Sequence, residues 1–169
     1  MFTQMPKNQP KTRIFLGIDP GTHRVGYGVI KAEGSKFTLI DQGVIEKKEK
    51  GYAADQLPFI HREIKSLITR TNPDVMAIEK LFFSKNQTTA MTVAEARGVI
   101  LLAAAESSVK IKEFTPNTVK QSISGYGSAD KKAVLKMVSL ILGLKDFRPI
   151  DDASDALAIA ITAALIGDN

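Results

Sequence analysis

The chain has 169 residues, with 23 Lys plus Arg against 18 Asp plus Glu, which gives a net charge of +5 at pH 7. Apolar residues make up 44% and charged residues 24%, shares that are typical of one globular domain and exclude a disordered, collagen-like or coiled-coil chain. The sequence has no cysteine, which excludes a disulfide scaffold and a thiolate metal site.

Membrane and export signals are absent from the sequence pattern. The longest uncharged apolar run, Ala156–Ile166, is shorter than the ~20 residues that cross a bilayer. Residues 1–13 lack the apolar core of a signal peptide. We therefore expect a cytoplasmic protein without a membrane partner, whose modest positive charge permits a polyanionic partner.

The first third of the chain predicts an antiparallel meander after a polar arm. Residues 1–12 are polar and interrupted by proline, so we expect them to form a flexible arm, followed by a single domain over residues 13–169. Short apolar runs bounded by turn residues predict three strands, at Arg13–Asp19, Gly26–Lys31 and Lys36–Ile45.

The rest of the chain alternates helical and strand patterns. Compact apolar runs predict strands at Val75–Ile78 and Ile111–Phe114. Helical spacing, or a proline at a first turn, predicts helices at Ala53–Arg70, at Gln87–Ser107, from Pro116 onward, at Lys131–Leu142 and at Asp151–Ile166. Three meander strands followed by alternating strands and helices indicate an α/β fold with a mixed five-stranded sheet flanked by helices.

The helix Gln87–Ser107 is a candidate contact surface for a second copy of the chain. Apolar and small residues cover most of it, and Gly98 permits a close approach. Residues near helical spacing on one side are Ala90, Val93, Ala94, Arg97, Leu101 and Ala105, with Ala96, Ala103 and Ala104 opposite. We expect one side to pack on the sheet and another to face a partner helix; the alternative is a wholly buried helix.

Four acidic residues are placed where a mixed sheet gathers functional side chains. Asp19 and Glu79 follow the first and fourth strands, and the carboxyl ends of parallel strands meet at one edge of a sheet. Asp152 and Asp155 are three residues apart and share one face of the last helix. Converging carboxylates repel unless a cation lies among them, and hard oxygen ligands suit Mg²⁺ or Mn²⁺. Two such ions about 4 Å apart activate a water and stabilise the leaving oxygen of a phosphodiester.

Each of these acids also has a purely structural interpretation. Asp19 opens a segment typical of a type II turn, and Glu79 fits the first solvated residue after a strand. Asp151, Asp152 and Asp155 lie in or near a helical first turn, where capping and the helix dipole favour acids. The metal site is favoured because the four acids occur together.

Several short motifs accompany the acids in order along the chain. The motifs are Gly17–Thr22 with Gly26–Gly28, Ala77–Lys80 with Phe82, Lys85 and Asn86, Ala96–Val99, Val119–Gln121, Gly125–Ser128 and Asp152–Ala160. In this register, from about Ile14 to Gly167, they resemble the RuvC family of Holliday-junction resolvases. The resemblance implies a ribonuclease-H-like fold and a homodimeric crossover junction endodeoxyribonuclease that acts in DNA recombination and repair by paired symmetric nicks.

The resemblance also implies roles for individual residues. The family's catalytic metal ligands fall on Asp19, Glu79, Asp152 and Asp155, which implies Mg²⁺, or Mn²⁺ in its place, with two ions per site. Its DNA-contacting positions fall on Phe82, Lys85, Asn86, Arg97, Lys120 and Lys131. The implied partners are four-way junction DNA and the RuvA and RuvB branch-migration proteins. Asp151 adjoins Asp152, so an assignment shifted by one position stays open.

Three other functions fit part of the pattern. An ATP-dependent phosphotransferase of the actin and sugar-kinase class begins with a similar loop, but it needs two lobes and hundreds of residues. A non-catalytic junction-binding module explains four acids poorly, because carboxylates that face phosphates weaken binding unless metals bridge them. A related ribonuclease-H-like nuclease that acts on RNA or on another branched nucleic acid stays open.

Overall fold

A five-stranded mixed sheet organises the chain, and the computed structural model describes residues 11–21, 23–47, 53–81 and 87–167. The strands are β1 (Thr12–Pro20), β2 (Arg24–Glu33), β3 (Lys36–Glu46), β4 (Val75–Glu79) and β5 (Lys110–Phe114). The helices are α1 (Ala53–Thr71), α2 (Gln87–Glu106), α3 (Pro116–Ser124), α4 (Lys131–Ile141) and α5 (Asp151–Ile166). The elements therefore follow the predicted order, and the predicted α/β class is confirmed.

The strand order β3-β2-β1-β4-β5 brings the meander and the crossover strands into one sheet. β1, β2 and β3 pair antiparallel, whereas β4 pairs parallel with both β1 and β5. The turn between β2 and β3 contains Gly34 at φ 62°, a left-handed conformation that glycine adopts without steric cost. β1 begins at Thr12, the last residue of the predicted arm, and residues 1–10 lie outside the described residues.

The sheet is buried on both faces, which explains the continuous apolar runs of its central strands. Phe15 and Ala77 face a core formed with α3, α4 and α5. Leu16 and Ile78, one residue along their strands from that set, face a second core formed with α1 and α2. The alternation follows from the two-residue period of a strand. None of the helices in the described residues is long and apolar enough to cross a membrane.

The two edges of the sheet differ from its centre. At one edge, the register of β3 against β2 shifts between Val29 and Ile30, so that Ile40 is an extra, half-exposed residue on the edge strand. At the other edge, β5 has five residues and carries Lys110 and Lys112. Both edge strands therefore depart from a long, flat, apolar strand.

α2 buries one side and exposes another, so the alternative of a wholly buried helix is wrong. Ala96, Ile100, Ala103 and Ala104 are buried against the sheet. The exposed residues of α2 whose side chains are described are Met91, Glu95, Gly98, Leu102, Ala105 and Glu106, and we call the first five the outward stripe of α2. Leu101, which the sequence placed on the side with Ala90, Val93 and Ala94, packs against the core, whereas its neighbour Leu102 is 52% exposed.

Candidate active site

Asp19 and Glu79 lie side by side at the carboxyl ends of two parallel neighbours. Ile18 of β1 pairs with Ile78 of β4, so the next residue on each strand is one of these acids. The predicted adjacency of the first and fourth strands is therefore confirmed. Both side chains reach the end of the sheet at which the parallel strands terminate, the usual location of a site in such a fold.

Glycines bring α5 into direct contact with the sheet beside these acids. A Cβ atom on Gly17 would lie 2.0 Å from the carbonyl oxygen of Ala156, and one on Gly26 would lie 2.1 Å from that of Asp152. The backbone of α5 therefore rests on the backbones of β1 and β2 without side chains between them. This close contact holds Asp152 and Asp155 beside the strand ends.

Three of the acids, Asp19, Glu79 and Asp155, border a cavity of about 300 Å³ between the sheet and three helices. Its lining residues are Asp19, Glu79, Pro116, Val119, Lys120, Ala129, Asp130, Lys131, Val134, Asp155 and Ala158. The side chain of Asp130 accepts a hydrogen bond from the backbone N–H of Ala133 at 2.7 Å and caps the start of α4. The cap fixes the position of Lys131 at the cavity wall.

The carboxylates of the site disfavour one another's charge. Burial, followed by the charges of Asp155, Glu79 and Asp152, raises the pKa of Asp19 to about 7. Burial and the charge of Asp155 also raise the pKa of Glu79 above its usual value, although Lys120 opposes the shift. Burial likewise raises the pKa of Asp155 despite the hydrogen bond from Lys131. Such a cluster favours a bound cation.

We expect Asp19 to lower the stability of the protein in EDTA as the pH rises from about 4 to about 7. In the unfolded protein Asp19 loses its proton near pH 3.8. In the folded protein its pKa is raised to about 7, so it stays protonated to higher pH. The native state then binds more protons over this interval, so the free energy of unfolding falls as the pH rises. Asp19→Asn should remove this pH dependence. Near pH 8, urea denaturation should give the variant a free energy of unfolding up to about 4 kcal/mol higher than that of the wild type. A variant less stable than the wild type near pH 8 contradicts the expectation.

Two basic residues pair with the acids of α5. Nη2 of Arg24 lies 2.9 Å from Oδ2 of Asp152, and Nζ of Lys131 lies 3.0 Å from Oδ2 of Asp155. Among the described residues, no three acidic or histidine side chains already converge at coordination distance. Within the part of the chain that the structure describes, the buried Oδ2 of Asp152 has no hydrogen-bond partner, because the approach of Arg24 is an ion pair and not a well-directed hydrogen bond.

The acids nevertheless fit a divalent cation by their chemistry. Asp19, Glu79, Asp152 and Asp155 offer carboxylate oxygens, the hard ligands that Mg²⁺ and Mn²⁺ prefer. Positive charge relieves the raised pKa values of Asp19, Glu79 and Asp155, and it would also satisfy the buried Oδ2 of Asp152. In this structure, Asp152 and Asp155 each direct Oδ2 toward a protein cation, which competes with a metal ion for that oxygen.

The geometry favours Asp152 over Asp151 as the third acid. Asp151 is 76% exposed in its side chain and lies 3.6 Å from Lys131. Asp152 is 27% exposed, and its charge contributes to the raised pKa of Asp19. The position of Asp152 above Gly26 fixes it closer to the strand ends.

The sequence-predicted DNA contacts occupy different environments. Lys120 and Lys131 line the cavity, as a role near a phosphate requires. Phe82, Lys85 and Asn86 lie outside the described residues. Arg97 is only 16% exposed; it forms an ion pair with Glu113, and its Nε donates to the backbone carbonyl of Glu79 at 3.2 Å.

Arg24 is the site residue that the sequence did not indicate. It belongs to no motif used above and stands at the first position of β2. The antiparallel pairing of β1 with β2 could have indicated Arg24. A basic residue just after the turn between these strands must lie near Asp19, at the end of β1.

Comparison with known proteins identifies the family. The family model for crossover junction endodeoxyribonuclease RuvC matches residues 15–163. The chain is 49% identical over 147 residues to RuvC of Caldicellulosiruptor saccharolyticus, covering 86% of this chain and 89% of that protein. It is 47% identical over 148 residues to RuvC of Halothermothrix orenii, covering 88% and 90%.

A solved structure agrees with the sequence matches. RuvC of T. thermophilus in complex with a Holliday junction substrate superposes with a TM-score of 0.86 at 34% identity, covering 91% of this chain and 94% of that one. The predicted ribonuclease-H-like fold class is thereby confirmed. The chain belongs to the crossover junction endodeoxyribonuclease RuvC family, whose members are metal-dependent nucleases.

Proposed function

We propose that this protein resolves Holliday junctions by paired symmetric nicks in DNA recombination and repair. The observation that carries the proposal is the meeting of Asp19, Glu79, Asp152 and Asp155 at one end of the sheet in a chain of this family. The T. thermophilus relative, which is solved with a Holliday junction substrate, supports the choice of DNA. Hydrolysis leaves 5′-phosphate and 3′-hydroxyl ends.

The four acids would hold Mg²⁺, with Mn²⁺ as a substitute and two ions per site. Bound there, the ions supply an activated water and stabilisation of the leaving oxygen. The protein itself places the ligands: β1 and β4 fix Asp19 and Glu79, and the close contact of α5 with the sheet fixes the other two.

The basic residues of the cavity wall bind the phosphate backbone of the cut strand. Lys120 and Lys131 line the cavity that holds Asp19, Glu79 and Asp155. A phosphate beside four acids needs such cations to offset repulsion, and phosphate contacts dominate affinity for nucleic acids. Phe82, Lys85 and Asn86 remain predicted contacts from the resemblance, with the ring of Phe82 stacking on a junction base.

The contacts of Arg97 support a positioning role beside the DNA contact that the resemblance implies. Its guanidinium is largely buried between Glu113 and the backbone carbonyl of Glu79, so it is placed to hold the end of β4. This geometry supports a contribution to the position of Glu79. A direct contact of Arg97 with DNA stays a prediction.

The protein acts as a homodimer, with the outward stripe of α2 as the contact. A four-way junction has approximate two-fold symmetry, and a C2 dimer supplies two sites related in the same way. Met91 and Leu102 are 65% and 52% exposed, and a Cβ atom on Gly98 would meet nothing within 4 Å. Apart from Glu95, the stripe therefore consists of apolar or small residues, and Gly98 leaves open space that a partner helix can approach.

We expect Leu102→Glu to produce a folded monomer that no longer makes paired nicks. A carboxylate at the centre of an apolar helix contact is desolvated without a partner, which disfavours association. Sedimentation at micromolar concentration measures the state, and Leu140→Glu, at a 63% exposed leucine of α4, is the matched control. A wild type that is monomeric both alone and on junction DNA contradicts the dimer.

From the family alone, we propose RuvA and RuvB as partners of this protein. On the same basis, we propose that the protein is located in the cytoplasm. RuvA and RuvB migrate the branch point of a junction, and the resolvase needs the branch at its cleavage site. Co-purification of the three proteins on junction DNA, compared with linear duplex, tests the association.

Competition between junction and linear DNA tests the proposed substrate. We expect Mg²⁺-dependent nicking of a labelled four-way junction that persists with excess linear duplex and disappears with excess unlabelled junction. Junction binding without cutting at any divalent cation identifies a non-catalytic module. Preferential cutting of RNA or of another branched substrate identifies a related nuclease and overturns the proposal.

A further inference from the structure

Arg24 lies on the face of the sheet that carries the acids. Asp19 pairs with Gly26 across the β1–β2 ladder, so their side-chain positions share a face. The α5 backbone covers this face, because a Cβ on Gly26 would meet the Asp152 carbonyl oxygen. Arg24 is two residues before Gly26 and therefore points the same way. The strand register directs its side chain to the first turn of α5.

The contact between Arg24 and Asp152 is an ion pair without a well-directed hydrogen bond. Nη2 and Oδ2 are 2.9 Å apart, yet no described residue forms a hydrogen bond with the buried Oδ2 of Asp152. The side chain of Arg24 is also 45% exposed. A partly exposed pair of this kind is weak and can exchange for a better partner.

Lys131 provides a contrast within the same site. It follows the capping residue Asp130 and pairs with Asp155 at the wall of the cavity. Arg24 approaches from the opposite side, at the start of β2, and does not line the cavity. The two basic residues therefore hold different acids from different elements.

We propose that Arg24 is an exchangeable counter-ion of Asp152, which it releases when it binds a phosphate of the incoming strand. The proposal rests on the nuclease function proposed above. Arg24 and a divalent cation repel each other when both adjoin one carboxylate. A phosphate gives the guanidinium two acceptor oxygens and a better geometry than the present contact. Asp152 then becomes a metal ligand mainly when nucleic acid is bound.

The first experiment measures metal binding without DNA. Isothermal titration with Mn²⁺ should give Arg24→Gln a roughly three- to tenfold higher affinity than the wild type, because a competing cation is removed. Arg24→Lys, which keeps the charge, should remain close to the wild type. Arg62→Gln removes the same charge from an exposed position of α1 and should leave the affinity unchanged.

The second experiment measures the salt dependence of junction binding. An Asp19→Asn background keeps the DNA intact, and Arg24→Gln or Arg62→Gln is added to it. Loss of one phosphate contact should reduce the slope of log K against log salt by about 0.9 for Arg24→Gln. Arg62→Gln should leave the slope unchanged.

Both results are required by the exchange. Higher Mn²⁺ affinity with an unchanged salt slope makes Arg24 a fixed partner of Asp152 and overturns the proposal. A reduced slope with unchanged Mn²⁺ affinity makes it a permanent phosphate contact and also overturns it. Cleavage of the junction by the wild type is measured in parallel, so a failed exchange in an active resolvase is distinct from a failed resolvase function.

Discussion

Asp19→Asn should reduce junction cleavage at saturating Mg²⁺ by more than about a hundredfold, while junction binding survives. Asparagine keeps the shape of the side chain but removes the charge that faces the cation. Even outer partners of metal ligands cost about 10–100-fold when they are removed, so a ligand should cost more. Binding should persist or improve, since one source of repulsion toward phosphate is lost. Nicking assays and gel-shift titrations on the same junction separate the two effects.

Asp151→Asn is the matched control for this loss. Asp151 carries the same charge as Asp19 and lies on α5 next to Asp152, but its side chain is 76% exposed. We expect this variant to cut at nearly the wild-type rate. An inactive Asp151→Asn together with an active Asp152→Asn shifts the ligand assignment by one residue. Normal turnover by Asp19→Asn removes the metal site from the mechanism.

Gly17→Ala should destabilise the protein by at least about 3 kcal/mol, the upper end of the usual cost of overpacking. The added Cβ would lie 2.0 Å from the Ala156 carbonyl oxygen and 2.6 Å from the Ala160 nitrogen. Both are backbone atoms of α5, so the clash is relieved only if the helix moves. Movement of α5 also displaces Asp152 and Asp155, and cleavage should fall even where the variant remains folded. Urea denaturation and nicking rates measure the two losses.

Gly127→Ala controls for the loss of a glycine as such. A Cβ at Gly127 would lie 3.7 Å from the Asn117 carbonyl oxygen, which is an ordinary van der Waals distance. We expect its free energy of unfolding to stay within about 0.5 kcal/mol of the wild type. A wild-type melting transition for Gly17→Ala contradicts direct contact between the backbones of α5 and β1.

The strands and the acids could be predicted because their signals are local. The apolar runs of β1 and β4 are continuous, since both faces of the central sheet are covered, and each run ends at an acid. The side-by-side placement of Asp19 and Glu79 then follows from parallel pairing alone. Helical spacing places Asp152 and Asp155 on one face and made them candidates for the same metal site, and the resemblance implied that they are catalytic ligands.

Features that depend on packing between distant elements could not be predicted. Arg24 reaches Asp152 only because Gly26 lets α5 rest on β2. The sequence pattern of β2 gives no sign of this contact, and neither does the pattern of α5. The burial of Arg97 between Glu113 and the end of β4 depends on how α2 sits on the sheet. Leu101 packs against the core and Leu102 is exposed because consecutive helical residues are rotated by about 100° around the axis. The sequence could not tell them apart, because apolar residues lie on all sides of α2.

The edges of the sheet bear on how the protein behaves at high concentration. The bulge at Ile40 interrupts the hydrogen-bonding register of β3, and β5 is a short strand that carries Lys110 and Lys112. Bulges, short edge strands and lysines are the features that block the addition of a strand from another molecule. Growth of the sheet into fibrillar aggregates is therefore disfavoured at both ends, whereas the α2 contact proposed above would close after two copies.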